Sequence, residues 1–280
     1  MLSLILATLF SASFAMIVRY AQGRRCNMWA VGAINYAVAS LFNLALQAAQ
    51  GSLVPSASTA WIGISAGVSY VVAYFVLFKL MALRGVAIST SVTRLAVLIP
   101  VLASIIIWHE QPTLYQSLGS LLALSSLPLL GFRRPPEGSQ VDRRAIAYLV
   151  ALFLLNGYNL VAVRLFRETD LPGESALFLG ILFGTAAIVA ITAWYTHREN
   201  TTVKDLLPGA ALGMVNALAN LAVVAALRQL PGFLVFPFHS AVGLAITVIA
   251  ARLIWKEHVS RQEAIGIAIT LLAAVLINLG

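Results

Sequence analysis

GVAISTSVTRLAVLIPVLASIIIWHE, Gly85 to Glu110, and GFLVFPFHSAVGLAITVIAARLIWKE, Gly232 to Glu257, align without a gap, and this pair decides how the chain is read. The two share the opening glycine, Ile99 with Ile246, Val101 with Val248, Ala103 with Ala250, Ile107 with Ile254, and a final Trp-x-Glu. The same offset carries Gly119 onto Gly266. One residue of drift earlier, Gly63, Gly67, Tyr70 and Tyr74 fall on Gly209, Gly213, Asn216 and Asn220. Self-similarity of this extent marks an internal repeat. The charged, Pro-rich break FRRPPEGSQVDRR, Phe132 to Arg144, lies between the copies. It divides the chain into a first repeat at 1–132, a connecting loop at 133–143 and a second repeat at 144–280.

The surroundings of the repeat are apolar throughout. Of 280 residues, 60% are hydrophobic and 10% charged, and uninterrupted apolar runs of about twenty residues recur, each long enough to cross a bilayer. Ten spans are expected, roughly at 1–21, 29–50, 59–83, 86–108, 112–131, 144–166, 173–196, 207–228, 232–255 and 260–279. The runs are continuous and rich in Leu, Ala and Ile, unlike the short alternating segments of a membrane barrel. Helices satisfy every backbone group within hydrocarbon, so the expected fold class is all-α, a polytopic membrane protein. Five spans per repeat is an odd number of crossings, so the second repeat must start from the other side. The expected architecture is therefore a five-plus-five inverted-topology repeat. Secondary transporters are built this way, with the substrate held near the midplane between the repeats.

The net charge of +8 is spread over loops, with no basic helix and no aromatic-interleaved patch. Anionic lipid headgroups explain it, and no nucleic-acid partner is expected. The loops after spans 1, 3, 5, 7 and 9 carry Arg24, Arg25, Arg84, Arg133, Arg134, Arg143, Arg144, Arg198, Lys204, Lys256 and Arg261. The positive-inside rule places those loops in the cytoplasm and both termini outside. The first span lacks a charged n-region and a small-residue cleavage site, so it reads as a retained helix. A single Cys26 allows no internal disulfide.

With these residues in view the chain resembles the EamA-like branch of the drug/metabolite transporter superfamily. The resemblance covers nearly the whole chain. It rests on the ten spans, the duplication, FSASF at Phe10 to Phe14, and the twin IIWHE and LIWKE endings followed by Gly119 and Gly266. It implies a ten-helix transporter of amino acids or other metabolites. Relatives move nucleotide sugars or flip lipid-linked sugars, and many have both termini in the cytoplasm.

Candidate site residues follow from the cost of polarity in hydrocarbon. Arg94 lies about eight residues, or roughly 12 Å of helix rise, inside its span. A central Arg costs about 2.5–3.5 kcal/mol even on insertion scales, so it should face the interior or a water-filled cavity. The bland alternative is a structural Arg bonded to a carbonyl freed by Pro100. No acidic residue occupies a span interior. An unpaired Arg repels lipophilic cations and suits anions or zwitterions. His239, two residues after Pro237, is the other titratable group well inside a span apart from tyrosines. It is a candidate ligand or proton carrier, or a plain hydrogen-bonding residue. Tyr70 and Tyr74, Asn216 and Asn220, Asn156 and Asn159, and Asn35 and Tyr36 need polar partners in hydrocarbon and so could line a cavity or bind helices together. Gly63 with Gly67 and Gly209 with Gly213 read as close helix packing. Trp108 and Trp255 belong to the interfacial belt, and Glu110 and Glu257 fit helix N-terminal positions.

The expected function is an exporter or facilitator of a small polar metabolite, anionic or zwitterionic such as an amino acid, working by alternating access between the repeats. Alternatives are a flippase for a lipid-linked anion and, from another class, an intramembrane enzyme. The latter needs a paired nucleophile and base, or metal ligands, at one depth. No Ser/His/Asp set, His-x3-His spacing or phosphate loop is found. No catalytic residue, metal site or cofactor is expected. The setting would be a bacterial inner (plasma) membrane, multi-pass, with the lipid bilayer and a small-molecule substrate as partners and a monomer as the working unit.

Overall fold

Helix boundaries in this chain are set by where backbone groups can be capped and where a proline removes one. A computed structural model describes residues 1–131, 143–169, 171–197, 201–256 and 260–279. Among them are ten α-helices: α1 (Leu2–Gly23), α2 (Met28–Gln50), α3 (Ala57–Leu95), α4 (Leu98–Ile106), α5 (Leu114–Gly131), α6 (Arg143–Glu168), α7 (Ser175–His197), α8 (Val203–Gln229), α9 (Gly232–Trp255) and α10 (Arg261–Leu279). No strand occurs among the described residues. Seven helical stretches are long and apolar enough to cross a membrane, in α1, α2, the Ala57–Leu77 part of α3, α6, α7, α8 and α9. The protein is a polytopic, all-α membrane protein. The connecting loop at 133–143, all but its last residue, lies outside the described residues, as do Glu257 and Arg198.

One boundary differs from the sequence reading. Separate spans at 59–83 and 86–108, with Arg84 in a loop between them, are corrected: the backbone stays helical through Arg84 and Gly85 and breaks instead at Ala96–Val97. The reason is local. A single glycine costs a helix about 1 kcal/mol, whereas a proline lacks the N–H that would reach the carbonyl four residues back and clashes with it. Pro100 makes Ala96 that residue. At the break Val97 N donates to Arg94 O (3.3 Å) and Ile99 N to Ala96 O (3.1 Å), the tighter turn that fills the gap.

The chain resolves into two compact units, Met1–Val71 with Ala162–Arg228, and Val72–Val161 with Gln229–Gly280. This division differs from the sequence repeats, since each unit takes helices from both.

In the first unit α2 packs on α7, and the glycines let helices meet in pairs. A Cβ on Gly67 of α3 would lie 2.5 Å from Leu182 O of α7, and one on Gly213 of α8 would lie 2.6 Å from Asn35 O of α2. The repeat equivalents α3 and α8 thus press on the repeat equivalents α7 and α2, and the glycines serve the close packing expected of them. Carboxylates close the same two seams at the helix starts. Asp205 accepts from Asn27 N (2.9 Å), which caps α2, and from Thr202 N (2.7 Å) before α8. Glu174 accepts from Ser56 N (3.1 Å) and Ser56 Oγ (2.9 Å) before α3. Each anion meets amides at the positive end of a helix dipole.

Burial would raise the Glu174 pKa, but hydrogen bonds from Thr59 and Ser56 outweigh it and hold the carboxyl below its ordinary value of 4.5. A carboxyl with a depressed folded-state pKa contributes stability that is complete above the unfolded value and lost as pH falls through the folded one. Glu174→Gln should therefore be less stable than the parent at about pH 6, with the gap closing toward about pH 3 in unfolding measurements. A gap that stays constant across this range would refute the assignment.

In the second unit α5 packs on α10 and α9, and α4 on α9. Ser120 Oγ donates to Phe233 O (3.1 Å), and Thr270 Oγ1 to Ser126 Oγ (2.9 Å). Ala73, Leu80 and Leu152 form a buried cluster flanked by Val76, Leu77, Val92, Tyr148, Leu149 and Leu155. The Trp-x-Glu endings find their meaning here. The middle residues of the two motifs both take a positive φ, His109 (51°) just beyond the end of α4 and Lys256 (55°) as the left-handed cap that ends α9. Glu110 then turns its carboxylate onto Gly232 N (3.0 Å) and Phe233 N (3.1 Å). It caps α9, rather than the helix that follows it in sequence.

Candidate functional site

Arg94 sits in the last turn of α3, two residues before the Ala96–Val97 break. The sequence forces this placement, because Pro100 sets the break and Arg94 is the basic residue next to it. Sites in inverted-repeat membrane proteins form where helices are discontinuous, since half-helix ends present dipole charge and unpaired backbone at membrane depth. The carbonyl that Pro100 would otherwise leave without a helical donor, Ala96 O, accepts from Ile99 N (3.1 Å).

No described carboxylate forms an ion pair with Arg94. His239 of α9 lies in the same unit, close enough for its charge and that of Arg94 to interact. Arg94 lies four residues before the start of α4, and α4 packs on α9, the helix of His239; α4 and α9 each carry a proline, Pro100 and Pro237. In the aligned repeats Val92 is the position matching His239. The two titratable groups picked out from separate halves of the sequence thus fall in one compact unit.

The other candidates divide between the units. Tyr74, Asn156 and Asn159 fall in the unit of Arg94 and His239. Tyr74 meets the ring of Phe75 edge-on at 6.2 Å. Asn156 Nδ2 donates to Leu152 O (2.9 Å). Asn159 is 5% exposed, and no described donor reaches its Oδ1. Gly157, between these two asparagines in sequence, lies against Ile99 just past the helix break.

Asn35, Tyr36, Tyr70, Asn216 and Asn220 fall in the other unit. There the amides satisfy one another. Asn220 Nδ2 donates to Asn216 Oδ1 (2.9 Å), and Asn216 Nδ2 to Asn35 Oδ1 (3.3 Å), a chain that ties α8 to α2. Tyr36 stacks on Phe183 at 6.3 Å, and Tyr70 meets the same ring edge-on at 6.3 Å. Phe183 is therefore an aromatic hub that the sequence does not announce, since one Phe among many in an apolar helix carries no signal. Sequence reasoning also passed over Asn43 and Gln47, whose spacing of four within an apolar span was a legible signal, and over Arg164, which is buried and paired with Glu168.

The model of the EamA-like transporter family matches the chain twice, over residues 1–132 and 143–279. The chain belongs to the EamA-like transporter family. An uncharacterized protein of Haemophilus influenzae is 23% identical over 268 residues, spanning 92% of this chain and 91% of its own length. A protein crystal structure superposes with a TM-score of 0.81, covering 99% of this chain and 96% of the other, at 17% identity, which is a likeness of fold. Among the described residues no group of three or more His, Cys, Asp or Glu side chains could hold a metal.

Proposed function

We propose that this EamA-like protein is a secondary transporter, an exporter or facilitator, of a small anionic or zwitterionic metabolite such as an amino acid. The observation that carries the reading is Arg94 at the α3–α4 break, in the same unit as His239 and with no described carboxylate paired to it. A half-buried guanidinium without a described acid is an open partner for a carboxylate, which it binds through two parallel N–H···O bonds. It repels lipophilic cations, so cationic drugs are poor cargo. The two repeats supply the means, one rocking against the other around a site that stays in place. The protein works as a multi-pass monomer of the bacterial inner membrane, without covalent turnover of its cargo.

Energy coupling follows from the same residues. Arg cannot lose its proton near neutrality, so a proton-coupled cycle at this site would have to use His239. Flux in proteoliposomes should run on an amino-acid gradient alone, and an imposed pH gradient should not concentrate the substrate. Uphill accumulation that follows the pH gradient and survives His239→Gln would defeat this account of coupling. Absence of flux for amino acids, with flux of a lipid-linked anion instead, would turn the reading to a flippase.

A further inference from the structure

The C-terminal half of α2 holds a pair of buried polar groups that neither the fold nor the proposed transport site uses. Asn43 is 0% and Gln47 3% exposed. Asn43 Nδ2 donates to Ala39 O (2.8 Å) and Gln47 Nε2 donates to Ser52 O (3.1 Å). These bonds orient both amides, since turning either one would set its carbonyl against another carbonyl. Both side-chain oxygens are then left buried, and no described donor reaches Asn43 Oδ1 or Gln47 Oε1. A buried acceptor without a donor costs about 1–3 kcal/mol, and two of them occur one helical turn apart on a single face.

We propose that this face of α2 binds a small monovalent cation, with sodium as the fitting probe. The ligands are hard, neutral oxygens of the kind that suit such an ion. They lie toward the C-terminal, partially negative end of α2, where a cation is stabilised. Comparable helix ends and backbone carbonyls hold sodium in inverted-repeat transporters. A divalent ion would bring two charges to a place where no described carboxylate is free, because Glu174, the acid just before neighbouring α7, is engaged by Ser56. Described side chains nearby on α2, α7 and α8 are engaged elsewhere. Ser40 Oγ donates to Gly180 O (2.9 Å), Leu44 lies against Gly180, and Arg228 is exposed and donates to Ser175 Oγ (2.7 Å).

Thermal unfolding of the purified full-length protein, in sodium chloride and in choline chloride at equal ionic strength, tests the site. Sodium should raise the midpoint saturably, by about 5 °C or more at about 100-fold excess over its Kd. Asn43→Leu and Gln47→Leu should each abolish the difference, while Asn43→Asp, which offers an anionic oxygen, should keep or enlarge it. Equilibrium binding of radioactive sodium to the parent protein gives a readout that does not depend on the leucine variants folding. Equal midpoints in the two salts, or no stoichiometric sodium binding, would overturn the proposal and leave a bridging water in its place. A sodium effect that persists in both leucine variants would overturn it as well, by moving the ion elsewhere.

Discussion

Arg94→Ala is expected to lose transport by roughly 10- to 150-fold while inserting and folding as the parent does. The range corresponds to about 1.5–3 kcal/mol, the worth of hydrogen bonds to a charged group. Folding should survive, because no described carboxylate is left stranded when the guanidinium goes, and because the break beside it is held by Ile99 N on Ala96 O and dictated by Pro100. Arg94→Lys should recover little. A lysine brings the charge but not the planar two-pronged geometry that matches a carboxylate. The measurement is counterflow in proteoliposomes, with a folded fraction from size-exclusion chromatography for each variant. Wild-type flux in Arg94→Ala would make Arg94 a structural residue and remove the argument for anionic or zwitterionic cargo.

Gly67→Val and Gly213→Val should each destabilise the protein by about 1–3 kcal/mol, the usual cost of forcing extra atoms into a packed seam. A Cβ at Gly67 would stand 2.5 Å from Leu182 O and 2.7 Å from Thr185 Cβ, and one at Gly213 would stand 2.6 Å from Asn35 O and 2.7 Å from Val38 Cβ. Backbone carbonyls cannot rotate aside as a side-chain tip can, so the helices must part. At Gly213 the separation should also stretch the Asn216–Asn35 bond, one turn further along α8. Gly23→Ala is the control, since nothing lies within 4 Å of a Cβ there. Thermal unfolding should show both valine variants lowered by several degrees, by roughly 2–4 °C per kcal/mol, and the control unchanged. Parent-like midpoints in the valine variants would mean that α3–α7 and α8–α2 approach less closely than described.

Hydropathy and self-similarity made most of the fold legible. Apolar runs declare themselves locally, and a duplication shows in aligned residues without any knowledge of contacts. The helical class, the two repeats and the identity of Arg94 and His239 as polar intruders were all readable in this way. The α3 boundary was misplaced because Arg84 and Gly85 look like a loop in composition. Helix termination depends on hydrogen-bond geometry around Pro100, which acts four residues upstream of itself.

Other features depend on partners distant in sequence, and no local pattern encodes them. Glu110 was recognisable as a helix-start anion, but the helix it caps is α9, reached only after the chain has folded back. Asn35, Asn216 and Asn220 were recognisable as polar groups needing partners, but only packing shows that they serve one another. Asn43 and Asn159 look no different from these in sequence, yet each keeps a buried oxygen that no described donor reaches. The sequence by itself determined the membrane-spanning, duplicated helical chain and which polar residues are costly within it, because transfer energies and periodicity belong to single segments. Which of those costs are cancelled inside the protein, and which stay open to a ligand, was decided by tertiary structure, because a hydrogen bond requires two groups and folding chooses the second.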